Sequence, residues 1–229
     1  MINPMQDYFI EFDRNTSSKK NRMSKKCPSL QLGPLSEIRD SHVAGNFDLG
    51  MYSSVNRCRL AIGGGIGVSS YVSDTDFGNY AIVGSRVSIG GFEHPLDWLS
   101  AHPFQWSQGT GHWAKSVFFG KNIEEKPIPK ITIIKPDTWV GNNSVVLSGR
   151  KIETGSVVGA GSVVTKDTLP YSISVGNPAR VIGYRFDEKT ILKLLELKWW
   201  ELSFSLLDTI NFSNIKLAIE QLEKIRSEI

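Results

Sequence analysis

Three of the four histidines, His94, His102 and His112, fall within one stretch, Gly91 to Pro129, together with Trp98, Trp106 and Trp113. An imidazole has an unperturbed pKa of about 6.5, so near pH 7 it is largely neutral and able to take a proton from a hydroxyl. Glu93 and Asp97 stand close enough to His94 in sequence to orient such a ring or stabilise its cation, and the residues alone do not choose between them. The indoles, with Phe104, suit either stacking on a sugar face or packing the stretch against the body of the protein. His42 lies far from this group. The chain has no G-x-S-x-G elbow and no reactive-cysteine signature, so direct general-base chemistry is expected rather than a covalent intermediate. Cys27 and Cys58 have no metal-ligand spacing and are too few for a disulfide framework, so both are read as thiols.

Something regular must hold these side chains. At 229 residues, 40% hydrophobic and 21% charged, the chain is long enough for one main domain with a small appendage. A net charge of +3 spread over the chain is too small to argue for a nucleic-acid partner, which needs a dense basic face. Arg14, Lys19, Lys20, Arg22, Lys25 and Lys26 read as a solvated N-terminal arm over residues 1–30. Met1 to Arg14 contain no apolar run, so neither a signal peptide nor a membrane span is expected, and the cytoplasm is the default compartment.

From Ile134 onward the period is six: Ile134, Val140, Val146, Ile152, Val158 and Val164 are followed four places on by Thr138, Ser144, Arg150, Ser156, Ser162 and Thr168. Neither an α-helix nor a simple amphipathic strand repeats at six. A coiled parallel β-structure does, with the aliphatic residue facing a narrow core and the small residue in a tight corner. Phe77, Val83 and Ile89 repeat the pattern upstream, and Tyr71 with Thr75 and Gly65 with Ser69 extend it backward, until it becomes unreadable before about residue 60. Gly63, Gly64, Gly65 and Gly67 lack the G-x-G-x-x-G spacing of a phosphate loop and are read as turns. Ile89 and Ile134 are out of phase, so the segment 91–129 interrupts the coil as a long loop, a feature that is usually functional. After Pro178 the period ends. Asp187 to Glu201 reads as an amphipathic helix with Ile191, Leu194, Leu195 and Trp199 on one side, and a last helix opens near Ser213 and Asn214. These helices are expected to cap the open end of the coil.

The segments G-G-F-E-H-P-L-D-W-L-S-A-H-P-F (Gly90 to Phe104), V-V-G-A-G-S-V-V-T-K-D (Val157 to Asp167) and V-G-N-P-A-R-V-I-G (Val175 to Gly183) resemble the hexapeptide-repeat acyltransferases. The likeness is to the branch of xenobiotic and surface-polysaccharide O-acetyltransferases. The resemblance implies a mainly β fold, a left-handed parallel β-helix over residues 31–183 with an extended active-site loop at 91–129 and a helical tail over 184–229. Left-handedness runs against the usual crossover preference and comes from the resemblance alone. It also implies a homotrimer with active sites between subunits, acetyl-CoA as co-substrate, no metal, and His94 as the catalytic base. For the cofactor it points to Gly141, Gly159 and Ala160, with Thr165, Lys166 and Arg180 near the nucleotide end. Asp97, Trp98 and His102 are assigned to the acceptor.

The expected reaction is transfer of an acetyl group to a hydroxyl of a sugar or surface-polysaccharide precursor. An antibiotic hydroxyl of the chloramphenicol or streptogramin type and a nucleotide-sugar amine are the alternatives. A metal hydratase on the same architecture is disfavoured because no histidine lies in a readable hexad. A purely structural solenoid would have no reason for the loop.

Overall fold

The computed structural model describes residues 8–10, 30–32, 37–39, 41–43, 47–50, 53–56, 58–60, 63–91, 93–101 and 130–228. Short strands follow one another around three faces of a prism. The first face holds β1 (Tyr8–Ile10), β4 (Ser41–Val43), β7 (Arg59–Leu60), β10 (Thr75–Phe77), β13 (Thr132–Ile134) and β16 (Lys151–Ile152). The second holds β2 (Leu30–Leu32), β5 (Phe47–Leu49), β8 (Gly64–Ile66), β11 (Ile82–Val83), β14 (Trp139–Val140), β17 (Val157–Val158), β19 (Ser172–Gly176) and β20 (Ala179–Tyr184). The third holds β3 (Glu37–Arg39), β6 (Ser54–Asn56), β9 (Tyr71–Ser73), β12 (Ser88–Gly90), β15 (Val145–Val146) and β18 (Val163–Val164). Neighbours in each face are parallel except at two ends, where β1 runs antiparallel to β4 and β20 to β19.

The core is one stack of aliphatic side chains along the prism axis, from Ile38 through Val72 and Ile89 to Val164. Each buried Val or Ile of such a stack contributes roughly 1.5–3 kcal/mol before entropy. After the loop a coil takes 18 residues, with Trp139 beside Val157 and Val145 beside Val163 (139 to 157, 145 to 163). That is three hexads, so the period is visible in the sequence.

Before the loop a coil takes 17, with Arg59 beside Asp76 and Gly65 beside Ile82 (59 to 76, 65 to 82). One side of each early coil is therefore a residue short. The inward positions step by five from Val55 to Leu60 and from Val72 to Phe77, because a single corner residue, Asp74 at φ 51°, turns the chain from β9 into β10. This overturns the backward extension of the pattern. Val72 and Ile66 fill the core at 0% and 3% exposure, whereas Tyr71 points outward at 46%. The buried corner serine is Ser70, not Ser69. With that shift the coils continue back to β2, which pairs with β5. Of the N-terminal arm, Tyr8–Ile10 is described as a strand added to β4 and Leu30 as the first residue of β2; the basic cluster and Cys27 lie outside the described residues. Cys58 is core-facing, its Sγ 3.8 Å from the Val72 carbonyl oxygen.

Corner hydroxyls tie the coils together. Ser70 accepts a hydrogen bond from the Val87 amide and donates one to the Gly84 carbonyl, each at 3.1 Å. Ser53 makes the equivalent pair with the Ser70 amide and the Gly67 carbonyl. The small-residue positions of the repeat thus satisfy backbone groups that a turn would otherwise leave buried and unpaired.

The tail departs from expectation twice. Helix α1 (Glu188–Leu197) starts at Asp187, whose carboxylate accepts the Thr190 amide at 2.9 Å. It stops where Lys198 adopts a left-handed conformation and its amide returns to the Leu194 carbonyl; residues 199–201 form a separate 3-10 turn. The tail also does not cap the prism end. β20 covers the last strand of the second face, while the tail lies along the edge between the first and second faces. There Trp199 packs 5.0 Å from Tyr80, and Asn79 donates to the Trp200 carbonyl at 2.8 Å. Helix α2 (Phe204–Leu207) and helix α3 (Ile215–Glu228), the latter capped by Asn214 at the Leu217 amide, complete a small second core of Leu197, Leu202, Leu207, Ile210, Ala218 and Leu222. No helix among the described residues is long and apolar enough to cross a membrane.

Arg185 fastens this tail to the prism. It donates to the Asp137 carboxylate and to the Gly155 carbonyl, each at 2.8 Å, and its guanidinium lies 5.3 Å from the centroids of Tyr171 and Phe186. Burial raises the Asp137 carboxyl above its ordinary value, outweighing the lowering by Arg185. A raised folded-state value means the native chain holds this proton more tightly than the unfolded chain. Stability therefore falls as pH rises from the ordinary carboxylate value of about 3.9 through the folded one. Asp137→Asn is expected to remove that component, so that parent stability relative to the variant declines with rising pH across that window in thermal melts. A difference between the two that rises with pH would contradict this account.

Candidate active site

At the end of β12 the chain leaves the prism instead of turning onto the first face. Gly90 and Gly91 both take positive φ, 70° and 95°, and a Cβ on Gly90 would run into the Ser73 carbonyl oxygen. Only glycine fits that exit. Three residues on, His94 stands exposed on the edge between the third and first faces. Its Nδ1 lies within hydrogen-bond distance of the Ala101 carbonyl oxygen. A carbonyl can only accept, so Nδ1 carries the proton and Nε2 keeps the lone pair. The same bond closes residues 94–101 into a compact turn. At its base the Glu93 carboxylate lies 3.6 Å from Lys130 Nζ, joining the outgoing and returning ends of the loop. Both side chains are more than half exposed, 57% and 64%, so the pair adds little to stability. Asp97 is exposed and Trp98 half-buried, between the solvent-facing Leu96 and Leu99. His102, Phe104, Trp106, His112 and Trp113 lie outside the described residues.

The predicted cofactor residues fall on two different edges. Thr165 and exposed Lys166 follow β18 on the edge that carries His94, two coils further along, or about 10 Å at the usual strand spacing. Gly141, Gly159 and Ala160 lie in the turns from the second face to the third. Arg180 sits exposed on β20, past the last coil, donating to the Ala179 carbonyl at 2.8 Å. Within one protomer these groups do not converge.

The glycines also have an architectural reason. A Cβ on Gly141 would lie 2.6 Å from the Ala160 nitrogen, and one on Gly159 2.6 Å from Val175 Cγ1. Beside them Ala160 and Gly161 are exposed, with nothing within 4 Å of a Cβ placed on Gly161. That turn offers bare backbone on which an extended pantetheine arm could lie. Gly161 and the Ala101 carbonyl were not singled out from the sequence. The first is a left-handed corner at φ 70° with no chemistry of its own; the second is a backbone atom that no motif marks. Among the described residues no group of three or more His, Cys, Asp or Glu is placed to hold a metal ion.

The pattern of the bacterial transferase hexapeptide (six repeats) matches residues 131–166. A probable macrolide acetyltransferase from Lysinibacillus sphaericus is 34% identical over 140 residues, spanning 61% of this chain and 75% of that protein. The chain belongs to the hexapeptide-repeat transferase family. A second relative, a chloramphenicol acetyltransferase from Escherichia coli, is 35% identical over 137 residues and 56% of this chain. The chain spans 62% of that protein's length. A solved maltose O-acetyltransferase from Clostridium difficile 630 overlaps 69% of this chain and 67% of its own at 21% identity and a TM-score of 0.41, too loose a match to bear on function.

Proposed function

We propose that this hexapeptide-repeat transferase is an acetyl-CoA-dependent O-acetyltransferase, a left-handed β-helix working as a homotrimer on a hydroxyl of a sugar or surface-polysaccharide precursor. The observation that carries the reading is the His94 tautomer: with Nδ1 donating to the Ala101 carbonyl, Nε2 is the atom that can accept a proton. In this reading the acceptor hydroxyl gives its proton to Nε2 as its oxygen attacks the thioester carbonyl carbon. The tetrahedral oxyanion collapses, the C–S bond breaks, and the leaving thiolate takes the proton from the imidazolium, giving an ester and coenzyme A. The split of the candidate residues over two edges supports a site between protomers. The edge with His94, Thr165 and Lys166 of one prism would face the Gly141, Gly159 and Ala160 edge of the next, and closed threefold symmetry repeats that contact around the ring. Lys166 and Arg180 would supply a point charge and a planar fork for the coenzyme A phosphates, and Asp97, Trp98 and His102 are assigned to the acceptor.

The names of the chloramphenicol and macrolide relatives favour a second reading, an antibiotic hydroxyl as acceptor. Thiol release from acetyl-CoA in the presence of neutral and acidic sugars, a nucleotide-sugar amine and chloramphenicol separates the two. Sugars are expected to drive release at least tenfold faster than chloramphenicol. The reverse ranking would select the antibiotic reading, and absence of both thiol release and coenzyme A binding would overturn the transferase reading.

A further inference from the structure

One arginine on the prism has no part in the chemistry above. Arg86 stands exposed in the turn from β11 to β12, on the edge between the second and third faces. Its backbone is left-handed, φ 55°, in the same corner column as Ser69, Asn143 and Gly161 at 58°, 58° and 70°. A long side chain is an unfavourable choice there, where Gly and Asn fit at less cost. Its Nε donates to Asn143 Oδ1 of the next coil at 2.7 Å. That bond aims the guanidinium and leaves its Nη edge directed away from the bond. No ion pair among the described residues includes Arg86.

The level of Arg86 matters. The turn holding it leads directly into β12, and β12 leads to His94, so the two residues belong to one coil. Rotation about an axis parallel to the prisms preserves height. The group opposite His94 across a threefold interface is therefore the neighbour's Ser85–Arg86 turn, backed by Asn142 and Asn143. Gly141, Gly159 and Ala160 follow on the same edge toward the far end, where Lys166 and Arg180 also lie. A thioester arm arriving from that end would stop near Gly141 and leave Arg86 beyond it, where an acceptor must sit.

We propose that Arg86, aimed by Asn143, reads an oxyanion on the acceptor, so that the substrate is an acidic sugar carrying a carboxylate or a phosphate as well as the hydroxyl to be acetylated. A planar fork with both Nη groups available suits either anion, and a neutral antibiotic offers it nothing. This rests on the trimeric acetyltransferase reading and adds a specificity residue to it.

The test is calorimetric titration of the full-length chain, saturated with coenzyme A, against glucuronate, glucose 6-phosphate, glucose and chloramphenicol. At least one acidic sugar is expected to bind tenfold or more tightly than glucose, the stronger of the two telling carboxylate from phosphate. Arg86→Ala is expected to bring it to the glucose level with coenzyme A affinity and melting temperature unchanged. Arg86→Lys should retain part of the preference, and Asn143→Gly, which keeps the left-handed corner, should weaken it. No preference in the parent, or a preference that survives Arg86→Ala, overturns the proposal. A chain that binds no coenzyme A overturns the transferase reading and this proposal together, whereas one that binds coenzyme A without favouring acidic sugars overturns this proposal alone.

Discussion

His94→Ala is expected to cut turnover by a factor on the order of 100 to 10,000 while coenzyme A affinity stays within about twofold. That factor corresponds to about 2.7–5.5 kcal/mol of lost transition-state stabilisation. The split between turnover and binding follows from position. Within one protomer His94 stands two coils from Thr165 and Lys166 and on a different edge from the turn at Ala160 and Gly161. Its side chain is exposed, so truncation creates no cavity and is expected to change stability by less than about 0.5 kcal/mol. The Ala101 carbonyl, no longer occupied by Nδ1, is free to bond water. Single-turnover acetyl transfer beside calorimetry with coenzyme A checks both halves. Unchanged turnover would remove His94 from the chemistry, and a parallel loss of coenzyme A binding would make it a structural or binding residue instead.

What could be read in advance follows from arithmetic in the chain. Past the loop, 18 residues per coil is a multiple of six, so Val140, Val146, Ile152, Val158 and Val164 announce themselves and all are buried. Ahead of the loop the five-residue side shifts the inward position once per coil. A fixed period then selects Tyr71 and Gly65 where Val72 and Ile66 fill the core. The place of His94 at the loop exit was legible because the repeat stops there. Its tautomer was not, because the partner is a backbone carbonyl seven residues away. Arg86 was not legible for a related reason: the role proposed for it depends on the coil level it shares with His94, and that needs strand pairing rather than sequence distance. The tail's docking on Tyr80 is a contact between segments more than 100 residues apart (80 and 199), beyond the reach of local periodicity.

Gly67→Ala is expected to destabilise the chain by on the order of 2–4 kcal/mol although it touches no residue proposed for chemistry. Gly50, Gly67, Gly84, Gly141 and Gly159 occupy one position in successive coils, at the start of the turn from the second face to the third. A Cβ on Gly67 would lie 2.6 Å from the Gly84 carbonyl carbon, 2.6 Å from the Ser85 nitrogen and 2.7 Å from the Gly84 oxygen. These are backbone atoms, so no side chain can swing aside. The Gly67 amide is meanwhile held to the Val83 carbonyl at 2.8 Å, and the Val68 amide to Ser85 Oγ at 3.1 Å. Making room for a methyl group means lengthening those bonds and parting two coils, and in a solenoid each interface adds its own share to stability. Gly183→Ala is the matched control: nothing lies within 4 Å of its Cβ and its φ is not positive, so it is expected to be neutral or to stabilise by up to about 1 kcal/mol through the unfolded chain. Chemical denaturation of both variants reads the contrast directly. A Gly67→Ala chain as stable as the parent would mean that the coils stand further apart at this edge than strand pairing allows, and the architectural reading of Gly141 and Gly159 would go with it, leaving cofactor contact as the reason for glycine there.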